Sequence, residues 1–260
     1  MKSILLLVLT AVGAYASAIA QGDIGEPGGL RGPGGPNQGK GPNQGKGVKV
    51  MSQAKAGTTT TTWDCCKPAC GWPSIAKKAG AKGSVKACSK DNQPLSDVNA
   101  QGACQGQGNA YSCANFQPKV VNETFAYGFA GHGSSSSQVC CKCYQFTWTN
   151  GPANGKSMIV QAVNSGGLPS PDDFDLYVPG GGVGDYPDTC SKQYGAPHGG
   201  WGKQYGGVQS PQACDALPDN LKEGCKWRWS WGGGSLNMNK VSYSQVSCPS
   251  ELTSISGCEN

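Results

Sequence analysis

Asp64 is the residue around which this chain can build chemistry. It stands in Trp63-Asp64-Cys65-Cys66, between an aromatic ring and two adjacent cysteines. Adjacent cysteines do not readily pair with each other, so Cys65 and Cys66 each need a distant partner, which ties the backbone beside the carboxylate at two points. A carboxylate held that firmly suits a reaction with strict geometry. The alternative is a surface acid beside a structural staple. A second carboxylate is available at Asp175, in Phe174-Asp175-Leu176-Tyr177-Val178, ahead of the turn Pro179-Gly180-Gly181-Gly182. Strand alternation puts Asp175 on the face opposite Phe174 and Leu176. Desolvation in such a strand raises a carboxyl's proton affinity, as a general acid requires. The alternative there is a solvated acid on a half-buried strand.

The elements that must hold these residues read mostly as strands. Cys143–Trp148, Ser157–Val163, Phe174–Val178 and Val241–Val246 are short β-rich runs separated by glycine turns. Lys226–Trp231 alternates strictly, and a strand there places Trp227, Trp229 and Trp231 on one face, in the core. Helix signals are confined to Trp72–Lys78 and Ser210–Leu217, and Gly131–Gln138 reads as a plain surface loop. Short strands with long loops predict a β-barrel. All 14 cysteines lie between Cys65 and Cys258. An even, high count predicts a disulfide framework, and the spacings do not suit zinc, so no metal and no cofactor is expected.

The chain divides into three parts. Residues 1–20 have the pattern of a signal peptide: Lys2, the apolar run Ile4–Val12, then small residues with cleavage after Ala18 or Ala20. Residues 21–57 are Gly/Pro-rich, with Gly-Pro-Asn-Gln-Gly-Lys in tandem, and predict a disordered tether. Residues 58–260 form the barrel domain. The net charge is +5, but residues 1–56 hold six basic and two acidic residues, leaving the domain nearly neutral. That argues against nucleic acid, and no later run is long enough for a bilayer, so a secreted, soluble monomer acting on a neutral substrate is expected. Trp63 and Trp72 flank the Asp64 motif as candidate platforms for sugar rings. His198 lies in a turn-rich surface loop, and Asn122-Glu123-Thr124 is a glycosylation sequon at Asn122.

The segment Thr60–Cys70 resembles the signature of glycoside hydrolase family 45, the small endoglucanases that cut cellulose. Trp63, Asp64 and Cys70 fit that signature at its spacing, and Tyr111-Ser112-Cys113-Ala114, Cys140-Cys141-Lys142-Cys143-Tyr144, Phe174-Asp175-Leu176 with Pro179–Gly184, and Lys226–Trp229 follow in the family's order. The resemblance implies an all-β fold with minor helices, a six-stranded double-psi β-barrel with an open groove. It implies inverting hydrolysis of internal β-1,4-glucosidic bonds in a β-glucan, with Asp64 as base, Asp175 as acid and their carboxyls about 6.5–9.5 Å apart. It implies that Trp63, Lys67 and Trp72 line the sugar groove. It further implies the bridges Cys65–Cys190, Cys66–Cys104, Cys70–Cys140, Cys88–Cys113, Cys141–Cys258, Cys143–Cys248 and Cys214–Cys225. The chain departs from the signature at Thr61 and Thr62, where the family has Arg and Tyr, and at Leu168, where an assisting Asp is common. Asp172 or Asp173 is a candidate replacement. The alternative function is a non-hydrolytic, expansin-like cell-wall-loosening or glucan-binding protein on the same barrel.

Overall fold

The computed structural model describes residues 47–260, so the expected signal peptide and most of the tether lie outside the described residues. Seven strands run β1 Lys55–Thr62, β2 Lys119–Asn122, β3 Phe125–His132, β4 Cys143–Trp148, β5 Ser157–Ser165, β6 Phe174–Tyr177 and β7 Asn239–Val246. They hydrogen-bond in the order β2-β3-β5-β4-β7-β1-β6, and β6 returns to pair with β3. Six strands therefore close a barrel, with β2 as a hairpin extension on β3. The β1–β6 and β3–β5 pairs are parallel and the rest antiparallel, which fits the expected double-psi class. Five short helices decorate it: α1 Pro73–Lys78, α2 Ser136–Val139, α3 Thr189–Tyr194, α4 Asp219–Ser230 and α5 Ser250–Ser256.

Inward side chains from alternate strand positions fill the barrel. Tyr144, Phe146, Trp148, Met158, Val160, Phe174 and Leu176 form one buried cluster. β3 is Phe-Ala-Tyr-Gly-Phe-Ala-Gly-His and buried throughout. Gly128 leaves room there for the Met158 methyl, which would lie 2.2 Å from a Cβ at that position. The second core lies around the cysteines, where small loop-rich layers need covalent ties. All 14 cysteines are bridged, in the same pairs that the resemblance implies. In each adjacent pair one residue turns left-handed, Cys65 at φ 63° and Cys141 at φ 65°. That reversal points neighbouring sulfurs in different directions, and the bridges hold a backbone conformation that costs a non-glycine residue energy.

Several expectations are corrected. Lys226–Trp231 is not a strand. It forms the end of α4 and the following cap. Residues four apart share a helix face, so Trp227 and Trp231 stack in the core at 5.1 Å while Trp229 turns away. Alternation over six residues fits both periods. The Gly131–Gln138 loop is reduced to 133–135, because Gly131 and His132 complete β3 and α2 follows. The folded domain also begins before residue 58: β1 starts at Lys55, and Val50 bridges Val246 on β7. The expected helix at Ser210–Leu217 is a 3-10 helix over Gln212–Ala216.

Candidate active site

β1 builds one half of the site. Its threonines alternate: Thr59 and Thr61 are buried, while Thr60 and Thr62 are half-buried and line a groove of about 790 Å³. The same alternation carries on beyond the strand, sending Trp63 inward and Asp64 out to the groove. Asp64 Oδ1 accepts the Cys66 N–H at 2.9 Å. On either side of that contact, Cys65 is bridged to Cys190 on α3 and Cys66 to Cys104.

β6 brings the other half. Thr60 pairs with Asp175 in parallel register, and the Thr60 hydroxyl donates to Asp175 Oδ1 at 2.6 Å. On the far side of β6, Gly131 faces Asp175 and keeps the floor open. Both carboxyls hold protons unusually well. Burial pushes Asp64 up to about 6, against the pull of the Cys66 N–H. Burial pushes Asp175 up to about 7, the Thr60 bond opposes it, and the charge of Asp64 adds to the rise. Two buried carboxyls on one groove, the charge of one raising the other, are equipped for paired acid and base work.

The remaining candidates separate. Trp72 and Lys67 both line the groove. Lys67 is only 7% exposed. Its Nζ donates to Val98 O at 2.8 Å and Ala100 O at 2.9 Å, and lies 3.7 Å from the Trp72 ring centroid. The lysine thus fixes the loop and the indole together. Trp63 does not line the groove: its indole is 1% exposed and packs edge-on to Tyr177 at 6.1 Å. The inward phase of the strand makes it core, which corrects its expected place on the substrate surface. Leu168 lines the groove. Neither Asp172 nor Asp173 is among the groove residues. Asp173 is buried, accepting from Thr58 N and Oγ1 and from Ser170 N, and so pins the 170–173 loop to β1. Asp172 binds Lys55 and Tyr243. Asn122 is exposed on β2, with Oδ1 accepting from Thr124 N–H and Oγ1. His198 is exposed and contacts Asp188.

Sequence reasoning missed a wall of the groove. Tyr186, Gln204, Tyr205, Asn237 and Met238 all line it. Tyr205 is 67% exposed, and its hydroxyl donates to Asp185 at 2.7 Å. The Lys203–Gly207 turn closes against the Gly180–Gly182 turn so tightly that a Cβ on Gly207 would lie 1.8 Å from Gly180 O. Buried Arg228 on α4 donates to Gly206 O and Val208 O and holds this wall from behind. The one signal was Tyr-Gly-Gly at 205–207, an aromatic residue on a tight turn.

The profile described as "Glycosyl hydrolase family 45" matches residues 56–259. The chain belongs to glycosyl hydrolase family 45. Within the family it is similar to an endoglucanase of Cryptopygus antarcticus, 41% identical over 206 residues, covering 78% of this chain and 88% of that protein. An endoglucanase of Phaedon cochleariae is 38% identical over 205 residues, covering 78% and 83%. A Fusarium oxysporum protein is 43% identical over 213 residues, but the chain spans only 55% of its length. The crystal structure of a cellulase from the Antarctic springtail Cryptopygus antarcticus superposes with a TM-score of 0.74 at 39% identity, over 80% of this chain and 99% of that one.

Proposed function

We propose that this family 45 chain is an endoglucanase that hydrolyses internal β-1,4-glucosidic bonds of cellulose and related β-glucans, with inversion at the anomeric carbon. Asp64 is the general base and Asp175 the general acid. The observation that carries this reading is geometric: β1 and β6 bring Asp64 and Asp175 onto one groove, where burial raises the proton affinity of both. Their surroundings differ in the sense the roles require, since the charge of Asp64 adds to the rise of Asp175. The Cys66 N–H favours the charged form of Asp64, as a base needs. In the single displacement Asp64 takes a proton from water as the water oxygen attacks the anomeric carbon. The glycosidic C–O bond breaks, and Asp175 gives its proton to the departing oxygen. Solvent then restores both groups.

Trp72, with Lys67 behind it, and the Tyr186–Tyr205 wall offer rings and polar edges to successive sugars. The substrate is neutral, and so is the folded domain. Seven disulfides belong to an oxidising compartment, which supports secretion. Among the described residues no helix is long and apolar enough to cross a membrane. The enzyme acts outside the cell as a monomer, with Asn122 available for glycosylation. Reducing-end release from carboxymethyl cellulose tests the assignment. The wild type is expected to generate new ends, and Asp64→Asn and Asp175→Asn each to lose roughly 10²-fold or more in kcat. Full activity in either variant would contradict the base and acid roles of these two residues.

A further inference from the structure

Tyr177 is the last residue of β6, paired in register with Thr62 at the end of β1. It is 1% exposed, yet it is one of the residues that bound the groove. Its ring is held edge-on against Trp63, the residue before Asp64. Its hydroxyl is buried and makes no hydrogen bond of good geometry among the described residues, a loose contact with the Asn164 side chain being its one polar interaction. The polar side chain beside it is Asn164, which also lines the groove and whose Oδ1 already accepts the Ala69 N–H at 3.0 Å. A phenylalanine would pack equally well against Trp63 and would leave no polar atom stranded. Beyond that loose contact the fold gives no account of this oxygen, and a buried hydroxyl so poorly partnered destabilises the native state.

Tyr177 lies two residues beyond Asp175 on the same face of β6, and its register partner Thr62 lies two residues before Asp64, so it shares the groove with both acids. Burial and then the charges of Asp64 and Asp175 hold the Tyr177 proton well above the ordinary tyrosine range, so the group stays a donor throughout the working pH. We propose that Tyr177 is a positioning residue for the Asp64–Asp175 pair, its poorly partnered hydroxyl serving as the donor that stabilises the ionised base when substrate fills the groove. Thr62, its register partner, carries no ring and leaves that side of the floor to Tyr177. This inference rests on the proposed roles of the two acids. Besides the acids and Tyr177, the titratable groups lining the groove are Lys67, Asp185, Tyr186 and Tyr205. Neither these groups nor Tyr177 is among the causes of the shift of either carboxyl in the unliganded protein.

Tyr177→Phe removes only the oxygen. Because that oxygen is so poorly partnered, the variant is expected to keep or raise its Tm, where a structural hydroxyl would lower it. Its kcat on cello-oligosaccharides is expected to fall roughly tenfold or more with KM little changed. Loss of a donor to a carboxylate in the substrate complex also moves the acidic limb of the kcat profile upward by about one pH unit. Unchanged kcat and an unchanged acidic limb would overturn the proposal, as would a lowered Tm with a normal pH profile. Asp64→Asn is measured in parallel. An inactive Asp64→Asn with a neutral Tyr177→Phe sinks the tyrosine role alone, whereas an active Asp64→Asn sinks the base assignment and the tyrosine role together.

Discussion

Asp175 shows how the chemistry and the stability of this protein pull against each other. Its carboxyl is raised to about 7, chiefly by burial. A raised acid binds its proton more tightly folded than unfolded. Its cost is absent below the unfolded value near 4, grows as pH climbs, and is complete above about 7. Asp175→Asn removes a charge that the fold resists. The variant is therefore expected to be more stable than wild type by about 1–2 kcal/mol at pH 8, the open groove screening part of the effect, and equal to it at pH 4. Urea midpoints at the two pH values check this, and a variant less stable at pH 8 would refute the desolvation account. Asp64, the other carboxyl, was legible in the sequence from its cysteine neighbours. Trp63 shows the limit: the same threonine alternation that aims Asp64 outward buries the indole, and nothing in an aromatic residue's identity tells platform from core.

The elements hold the site by pairing and by cross-links. β1 lacked an apolar alternation to announce it, because its inward positions are threonines whose hydroxyls bond Leu236 O and Gly181 O instead of packing. β3 was hidden by alanine and glycine, which a strand accepts only where the neighbouring strand fills the space. The strands β4, β5, β6 and β7 carry large or β-branched residues and were legible. α4 was misread because tryptophans at every second position satisfy both the strand period and the four-residue helix spacing. The groove wall at residues 203–207 escaped because its positions are set by contacts far apart in sequence. The Cys65–Cys190 bridge is the element-level device that fixes Asp64, the proposed base, since it holds Cys65 in a left-handed conformation beside it. Replacing both cysteines with alanine is expected to cost roughly 2–5 kcal/mol. It should also lower kcat under conditions where the variant remains folded, as the αL constraint beside Asp64 relaxes. A destabilised variant with wild-type kcat would show that the bridge serves stability alone.

For the whole molecule, acid and alkaline limits come from different places. His132 is buried among Tyr144, Phe174 and Tyr243, and burial drops it to about 4. A depressed base contributes stability above its unfolded value near 6.5 and loses it as pH falls toward 4. Calorimetry on His132→Phe is expected to flatten that acid loss, by about 2 kcal/mol at pH 4 relative to pH 7. An unchanged slope would place the acid sensitivity elsewhere. The start of the folded domain is tested by length. β1 pairs Lys55, Ala56 and Gly57 with Tyr243, Ser242 and Val241. A chain beginning at Thr58 is therefore expected to melt roughly 4 °C or more below one beginning at Gly47. Equal melting would mean that the segment before Thr58 adds nothing to the barrel. The central claim concerns both acids acting at once across one bond, and the configuration of the first product reports on it directly. Proton NMR of cello-oligosaccharide cleavage, recorded before mutarotation, should show the new reducing end appearing as the α-anomer. A first product in the β-configuration would contradict single displacement and the role of Asp64 as base.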